Sequence, residues 1–223
     1  MVAQPDVDQL IRQTRRYEFA DGLRDLQLAV ILGLGGITVW LAFEPFWLAF
    51  IAKLVQVWGR WAVWLNMLPV LLAPLAAWGI LALMNFLRRR WLWRESGMVK
   101  PSRWMVPRKV NLLSAVILVG GIALGFGLYL LGQADVVFAL RMLWVATGWS
   151  FGYTLIGVGR NLDLTRYVWL GVSGGLASTL LLVLPLTFGQ AALAFGLGWC
   201  LLLAGSGIIV LWRAVRSLPS KPT

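Results

Sequence analysis

The sequence predicts an all-α integral membrane protein: six transmembrane helices preceded by an amphipathic helix at the interface, with both termini in the cytoplasm. Three observations carry this. Hydrophobic residues make up 60% of the chain and charged residues 13%, against about 45–50% and ~25% in soluble globular proteins. Six apolar runs reach the ~20 residues that a helix needs to cross a bilayer. All but three of the 20 lysines and arginines fall on one side when those runs are threaded as alternating spans, and positive loops are the ones kept in the cytoplasm. A soluble domain cannot cover so much apolar surface, and disorder requires low hydrophobicity. The chain therefore reads as a multi-pass protein of a bacterial-type plasma membrane.

Residues 1–26 form a charged cytoplasmic segment. Asp6 and Gln9 make a loose capping box, and Val7, Leu10, Ile11, Tyr17 and Ala20 recur near one helical face, as in a helix lying on a membrane surface. No cleavable signal peptide is expected, because acids and bases are mixed here without an apolar core. The first span covers 28–52. Its apolar run meets Glu44-Pro45, so either the helix stops at Phe43 and the chain to residue 60 lies along the interface, or the helix runs on to Ala52. The second span is 61–87, where Pro69 and Pro74 predict a kink. A basic loop, 88–110, follows. The remaining spans are 111–131, 136–158, 167–188 and 190–212, with very short connections in the last two pairs and a cytoplasmic tail at 213–223.

Tryptophans support these boundaries. Trp40, Trp47, Trp58, Trp61 and Trp64 gather near the outer ends, and Trp91, Trp93, Trp104, Trp169 and Trp212 near the inner ends, as an aromatic belt requires. Small residues at helical spacing, Gly121 with Gly125, Gly148 with Gly152 and Gly171 with Gly175, predict close helix packing, with dimerisation the other use of such pairs. Gly132-Gln133-Ala134 with Phe138 and Leu140 recurs as Gly189-Gln190-Ala191 with Phe195 and Leu197. This is either a duplicated hairpin or coincidence in a sequence dominated by Gly, Ala, Leu and Phe.

The composition also limits chemistry. With no histidine in the chain, imidazole acid–base relays and His-ligated metals are excluded. The single cysteine, Cys200, cannot form an internal disulfide or a multi-thiolate site. Gly171-Val172-Ser173-Gly174 resembles the GxSG region of rhomboid-like intramembrane proteases, but that chemistry needs a histidine partner. No Walker A loop, GxGxxG fingerprint or CxxC pair is present, and no cofactor, metal or enzymatic activity is expected.

Polar residues inside apolar spans are expensive and therefore informative. Arg141 is the clearest, six residues beyond Asp135 and about 9 Å along the helix. Glu44, Asn66, Asp135 and Gln190 fall in the same outer half, so these five form a candidate intramembrane cluster, with an Arg141–Glu44 ion pair as its expected centre. A second candidate surface lies on the cytoplasmic side: Arg15, Arg16, Glu18, Asp21 and Arg24 before the first span, and Arg88, Arg89, Arg90, Trp91 and Trp93 after the second. Its basic and aromatic residues suit anionic inner-leaflet lipids or a cytoplasmic protein partner, a regulator or an ATPase subunit. The net charge of +11 is read as topology signal and lipid attraction, with no nucleic-acid partner expected; association into an oligomer is compatible with the glycine pairs.

These features fit a non-enzymatic accessory, scaffold or sensor/regulatory component of the membrane. The alternative is transport. Six spans, an interfacial helix before the first and a charged segment after the second make the layout similar to that of permease subunits of ABC exporters, over the whole chain but without a diagnostic motif. That resemblance implies an ATPase partner. The small six-span substrate-capturing subunits of vitamin transporters are a looser likeness.

Overall fold

The computed structural model describes residues 22–87 and 107–216, and within them every regular element is helical. In chain order these are α1 (Leu23–Phe43), α2 (Pro45–Trp58), a 3₁₀ run (Gly59–Met67), α3 (Leu68–Leu87), α4 (Arg108–Leu130), α5 (Val136–Asn161), α6 (Thr165–Thr179), a 3₁₀ turn (Leu180–Leu182) and α7 (Phe188–Arg216). Four stretches are long and apolar enough to cross a membrane: Leu23–Phe43, Pro45–Phe86, Arg108–Leu130 and Phe188–Arg213. The other two expected spans differ for identifiable reasons. At 26 residues α5 has the length, but Arg141 and its Trp, Thr, Gly and Ser residues dilute its hydropathy. At 15 residues α6 is short, and the expected helix to 188 gives way after Leu182 to an irregular stretch through Pro185.

Boundaries follow from local chemistry. Glu44 is extended and Pro45 opens α2, the position where a missing N–H and a fixed φ are harmless; the first helix therefore ends at Phe43 rather than Ala52. Gly59, at φ 71°, ends α2 and reverses the chain, so residues 59–67 are a 3₁₀ run rather than the start of a span. Pro74 lies inside α3. α4 closes with Gly132 in the left-handed region and Gln133 N–H donating to the Leu128 carbonyl at 3.0 Å. The end of α5 repeats that closure with Asp163 at φ 54° and Leu164 N–H donating to Gly159 O at 2.8 Å. Both are Schellman motifs, which satisfy otherwise orphaned carbonyls and turn the chain sharply.

The helices form an array in the order α3, α1, α7, α6, α5, α4, with α5 also touching α7. Glycines set the pairings. A Cβ on Gly36 would stand 2.8 Å from the Gly196 Cα, one on Gly33 would meet the Cys200 sulfur at 3.3 Å, and one on Gly189 would meet the Phe43 Cβ at 3.2 Å. As numbers rise on α1 they fall on α7, so this pair is antiparallel along its whole length. Gly148 against Ser178, Gly152 against Gly171 and Gly159 against Val168 place α5 antiparallel to α6. Gly121 against Ala146 and Gly125 against Met142 do the same for α4 and α5. All six glycines of the three GxxxG pairs thus sit in contacts within the chain, where dispersion between close backbones holds helices together. The recurring Gly-Gln-Ala triplets are not equivalent: Gly132 lies in the turn before α5, whereas Gly189 lies in the first turn of α7.

A buried cluster of Ala29, Leu155, Tyr167, Phe195, Trp199 and Leu203 with their neighbours ties α1, α5, α6 and α7 together. α3 and α4 lie at the two margins. Antiparallel order brings Gly22, Arg160, Arg166 and Arg216 to one end, called basal below; Phe43, Asp135 and Thr187 are at the distal end.

Candidate functional site

The most heavily bonded polar centre in the described residues is at the basal end, around Asp25. On α1 the residues Asp25, Ala29, Gly33 and Gly36 recur at helical spacing and all are buried, so Asp25 belongs to the stripe that packs on α7. Its side chain is 0% exposed. A carboxylate so placed is tolerated only when paired and hydrogen-bonded. The Tyr167 hydroxyl donates to one oxygen, Oδ1. Oδ2 accepts from the Ser206 hydroxyl at 3.2 Å and pairs with Arg166 Nη1 at 3.5 Å. Arg166 Nη2 also donates to the Tyr167 hydroxyl at 3.3 Å, and its guanidinium lies 4.8 Å from the ring centroid.

Three helices meet at this carboxylate: α1 through Asp25, α6 through Arg166 and Tyr167, and α7 through Ser206. Two residues further along α1, Gln27 is buried, and among the described residues its Nε2 has no hydrogen-bond partner. With both oxygens of Asp25 engaged, the geometry fixes the relative register of the three helices.

Two further polar contacts fasten neighbouring pairs. Between α4 and α5, Ser114 donates to the Ser150 carbonyl at 2.9 Å and Thr154 donates to the Ser114 hydroxyl at 3.0 Å. Between α6 and α7, the Trp199 indole N–H donates to the Ser178 hydroxyl at 3.2 Å, and Ser178 donates to Gly174 O at 2.8 Å. A cavity of about 30 Å³ adjoins this contact, bordered by Ala177, Ser178, Phe195, Gly198 and Trp199.

The expected intramembrane cluster is not assembled as a unit: among the described residues no hydrogen bond or ion pair joins any two of its five members. Arg141 does not meet Glu44. Its Nε donates to the Leu186 carbonyl at 2.9 Å, and Nη2 donates to the same oxygen. The physical reason is local. The chain between the 3₁₀ turn and α7 is irregular and offers an unpaired carbonyl within reach of a long side chain, while Glu44 lies at the corner between α1 and α2. Asp135 caps α5, accepting from Phe138 N–H at 2.6 Å. Gln190 forms a capping box with Thr187: Thr187 N–H donates to Gln190 Oε1 at 3.1 Å and Gln190 N–H donates to Thr187 Oγ1 at 3.3 Å, an arrangement that satisfies two N-terminal donors at once. Asn66 sits in the 3₁₀ run, and among the described residues its buried Oδ1 has no hydrogen-bond partner.

Of the expected cytoplasmic surface, Arg24 is half-buried in the first turn of α1. Arg15, Arg16, Glu18, Asp21, Arg88, Arg89, Arg90, Trp91 and Trp93 lie outside the described residues. Asp25, Arg166, Tyr167 and Ser206 were not singled out by sequence reasoning. The available signal was the Asp-Ala-Gly-Gly stripe at i, i+4, i+8 and i+11, which places Asp25 on the packing face rather than on a solvated one. Comparison of the chain with protein-family profiles, curated proteins and solved structures gives no match.

Proposed function

We propose that the chain is a six-span, non-enzymatic accessory or regulatory component of a bacterial-type plasma membrane, whose working surface is its basal, cytoplasmic end. The observation that carries this is the antiparallel order of α4, α5, α6 and α7. It brings Arg108, Arg160, Arg166, Arg213 and Arg216 to one end, leaving Lys53, Arg60 and Arg141 towards the other, which is the asymmetry that orients a polytopic protein. The six crossings are α1, α3, α4, α5, α7 and α6 with its 3₁₀ extension. The last measures about 28 Å, close to the ~30 Å hydrocarbon thickness.

The polar chemistry of the described helices supports a holding role: Asp25, Ser114, Ser178 and Arg141 each take part in a hydrogen bond that fastens one segment to another. The basal end is where the charged N-terminal segment and the basic loop 88–110 emerge. Both suit anionic inner-leaflet lipids together with a soluble partner.

The test is extraction of the full-length tagged protein from its native membrane in mild detergent, comparing wild type with Arg15→Gln/Arg16→Gln and with Arg88→Gln/Arg89→Gln/Arg90→Gln. A stoichiometric regulator retained by wild type and lost from either variant is the expected result. Recovery of a nucleotide-binding ATPase in its place would make the chain an exporter permease subunit. Capture unchanged by both variants would overturn the basal docking surface.

A further inference from the structure

The segment Pro45–Met67 is a two-legged hairpin at the distal end of α1, and we infer that it lies in the outer-leaflet headgroup layer as a surface for anionic phospholipid, with Lys53 and Arg60 meeting the phosphates. The inference rests on the membrane-spanning reading above. Its shape follows from contacts: α2 packs on the 3₁₀ run, whereas it is α3 that returns along α1. Fourteen residues of α2 and nine of 3₁₀ helix make legs of about 21 and 18 Å, so the chain goes out, turns at Gly59 and comes back. Ile51 and Ala62 are the buried residues of the seam.

What the hairpin presents outward is specific. Phe46, Phe50, Lys53 and Val57 recur at i, i+4, i+7 and i+11 on one exposed stripe, which places Lys53 in an apolar row where a lysine stem can cover apolar surface while its ammonium reaches the phosphates. On the turn and the return leg, Trp58, Trp61 and Trp64 are about two-thirds or more exposed, at 67%, 72% and 70%, beside exposed Arg60. Indoles concentrate at the headgroup level. The segment holds two bases and no acid, so its charge complements phosphate-bearing lipid. Exposed apolar, indole and cationic groups carried together on the two legs match a leaflet interface rather than water or hydrocarbon.

The experiment places a nitroxide in the Cys200→Ala protein at Val57→Cys, 77% exposed on the hairpin, or at Leu201→Cys, 73% exposed midway along α7, in vesicles of phosphatidylcholine with or without phosphatidylglycerol. The expected result is the Leu201 label in hydrocarbon and the Val57 label at phosphate depth. Its immobilised fraction should rise with phosphatidylglycerol, and Lys53→Gln/Arg60→Gln should abolish that rise, weakening the anionic preference about 30-fold for two bases. A Val57 label in bulk water, at the depth of Leu201, or dipolar-coupled to a second copy overturns the inference. So does phosphate depth without any response to phosphatidylglycerol. A Leu201 label in water is a different failure, that of the membrane-spanning reading itself.

Discussion

Asp25 at the start of α1 and Tyr167 at the start of α6 are hydrogen-bonded to one another across 142 residues of chain. The Ser206 hydroxyl donates to the same carboxylate and Arg166 pairs with it. Removing one member of a buried pair is costlier than removing both, because the survivor is left desolvated and unpaired. Asp25→Ala should therefore destabilise the protein by about 3–5 kcal/mol. Adding Arg166→Leu should recover part of that loss, while Asp25→Asn should cost less than Asp25→Ala. Unfolding midpoints in a mixed-micelle denaturant series check this; equal midpoints for Asp25→Ala and wild type would show that the carboxylate holds nothing.

Adjacent glycines on α1 make a paired control. A Cβ on Gly36 would lie 2.7 Å from Ala192 O, whereas one on Gly35 would meet nothing within 4 Å. Gly36→Ala should force α1 and α7 apart and lower stability by about 1–3 kcal/mol. Gly35→Ala should be neutral or stabilising by up to about 1 kcal/mol through helix propensity. Thermal inactivation of the two purified variants, measured side by side, decides it, and the prediction fails if Gly35→Ala is the worse of the two.

Arg141 holds the connection before α7 through the Leu186 carbonyl. Arg141→Leu leaves that oxygen without its charged donor, and a lost hydrogen bond of this kind costs about 1.5–3 kcal/mol. Local rather than global loosening is expected: hydrogen exchange should rise over residues 183–187 while α5 stays protected. Because Glu44 is not its partner, Glu44→Gln should leave exchange in that stretch unchanged.

The Thr187 and Gln190 capping box sets where α7 begins. Thr187→Ala removes the acceptor of Gln190 N–H and should cost about 1 kcal/mol, with Thr187→Ser restoring most of it. Circular dichroism melts in detergent read the difference; no loss in Thr187→Ala would mean that the first turn of α7 is held by packing alone.

Trp199 is 2% exposed and combines packing with one polar bond to Ser178. Trp199→Phe retains most of the ring volume and should lose about 1 kcal/mol, whereas Trp199→Ala opens a cavity between α6 and α7 and should lose about 3–5 kcal/mol. A denaturation series that ranks the two equally would separate the indole from the core.

The amino-acid sequence alone establishes the helical class and most of the stretches long and apolar enough to cross a membrane, because apolar length and glycines at turn positions act through neighbouring residues. It also identified the six GxxxG glycines as packing positions, since a stripe of small residues is defined by helical periodicity alone. The partners of polar side chains were decided by tertiary structure. Arg141, Asp135 and Gln190 share an outer half in the sequence, yet each is drawn to the nearest unsatisfied backbone group, a Leu186 carbonyl or a helix N-terminus. Asp25 reads in sequence as part of a charged face, but antiparallel packing of α1 on α7 carries it inside, and only there do Arg166, Tyr167 and Ser206 arrive to meet it. Local periodicity says which face of a helix is buried; which distant residue satisfies a buried charge depends on how whole helices are stacked.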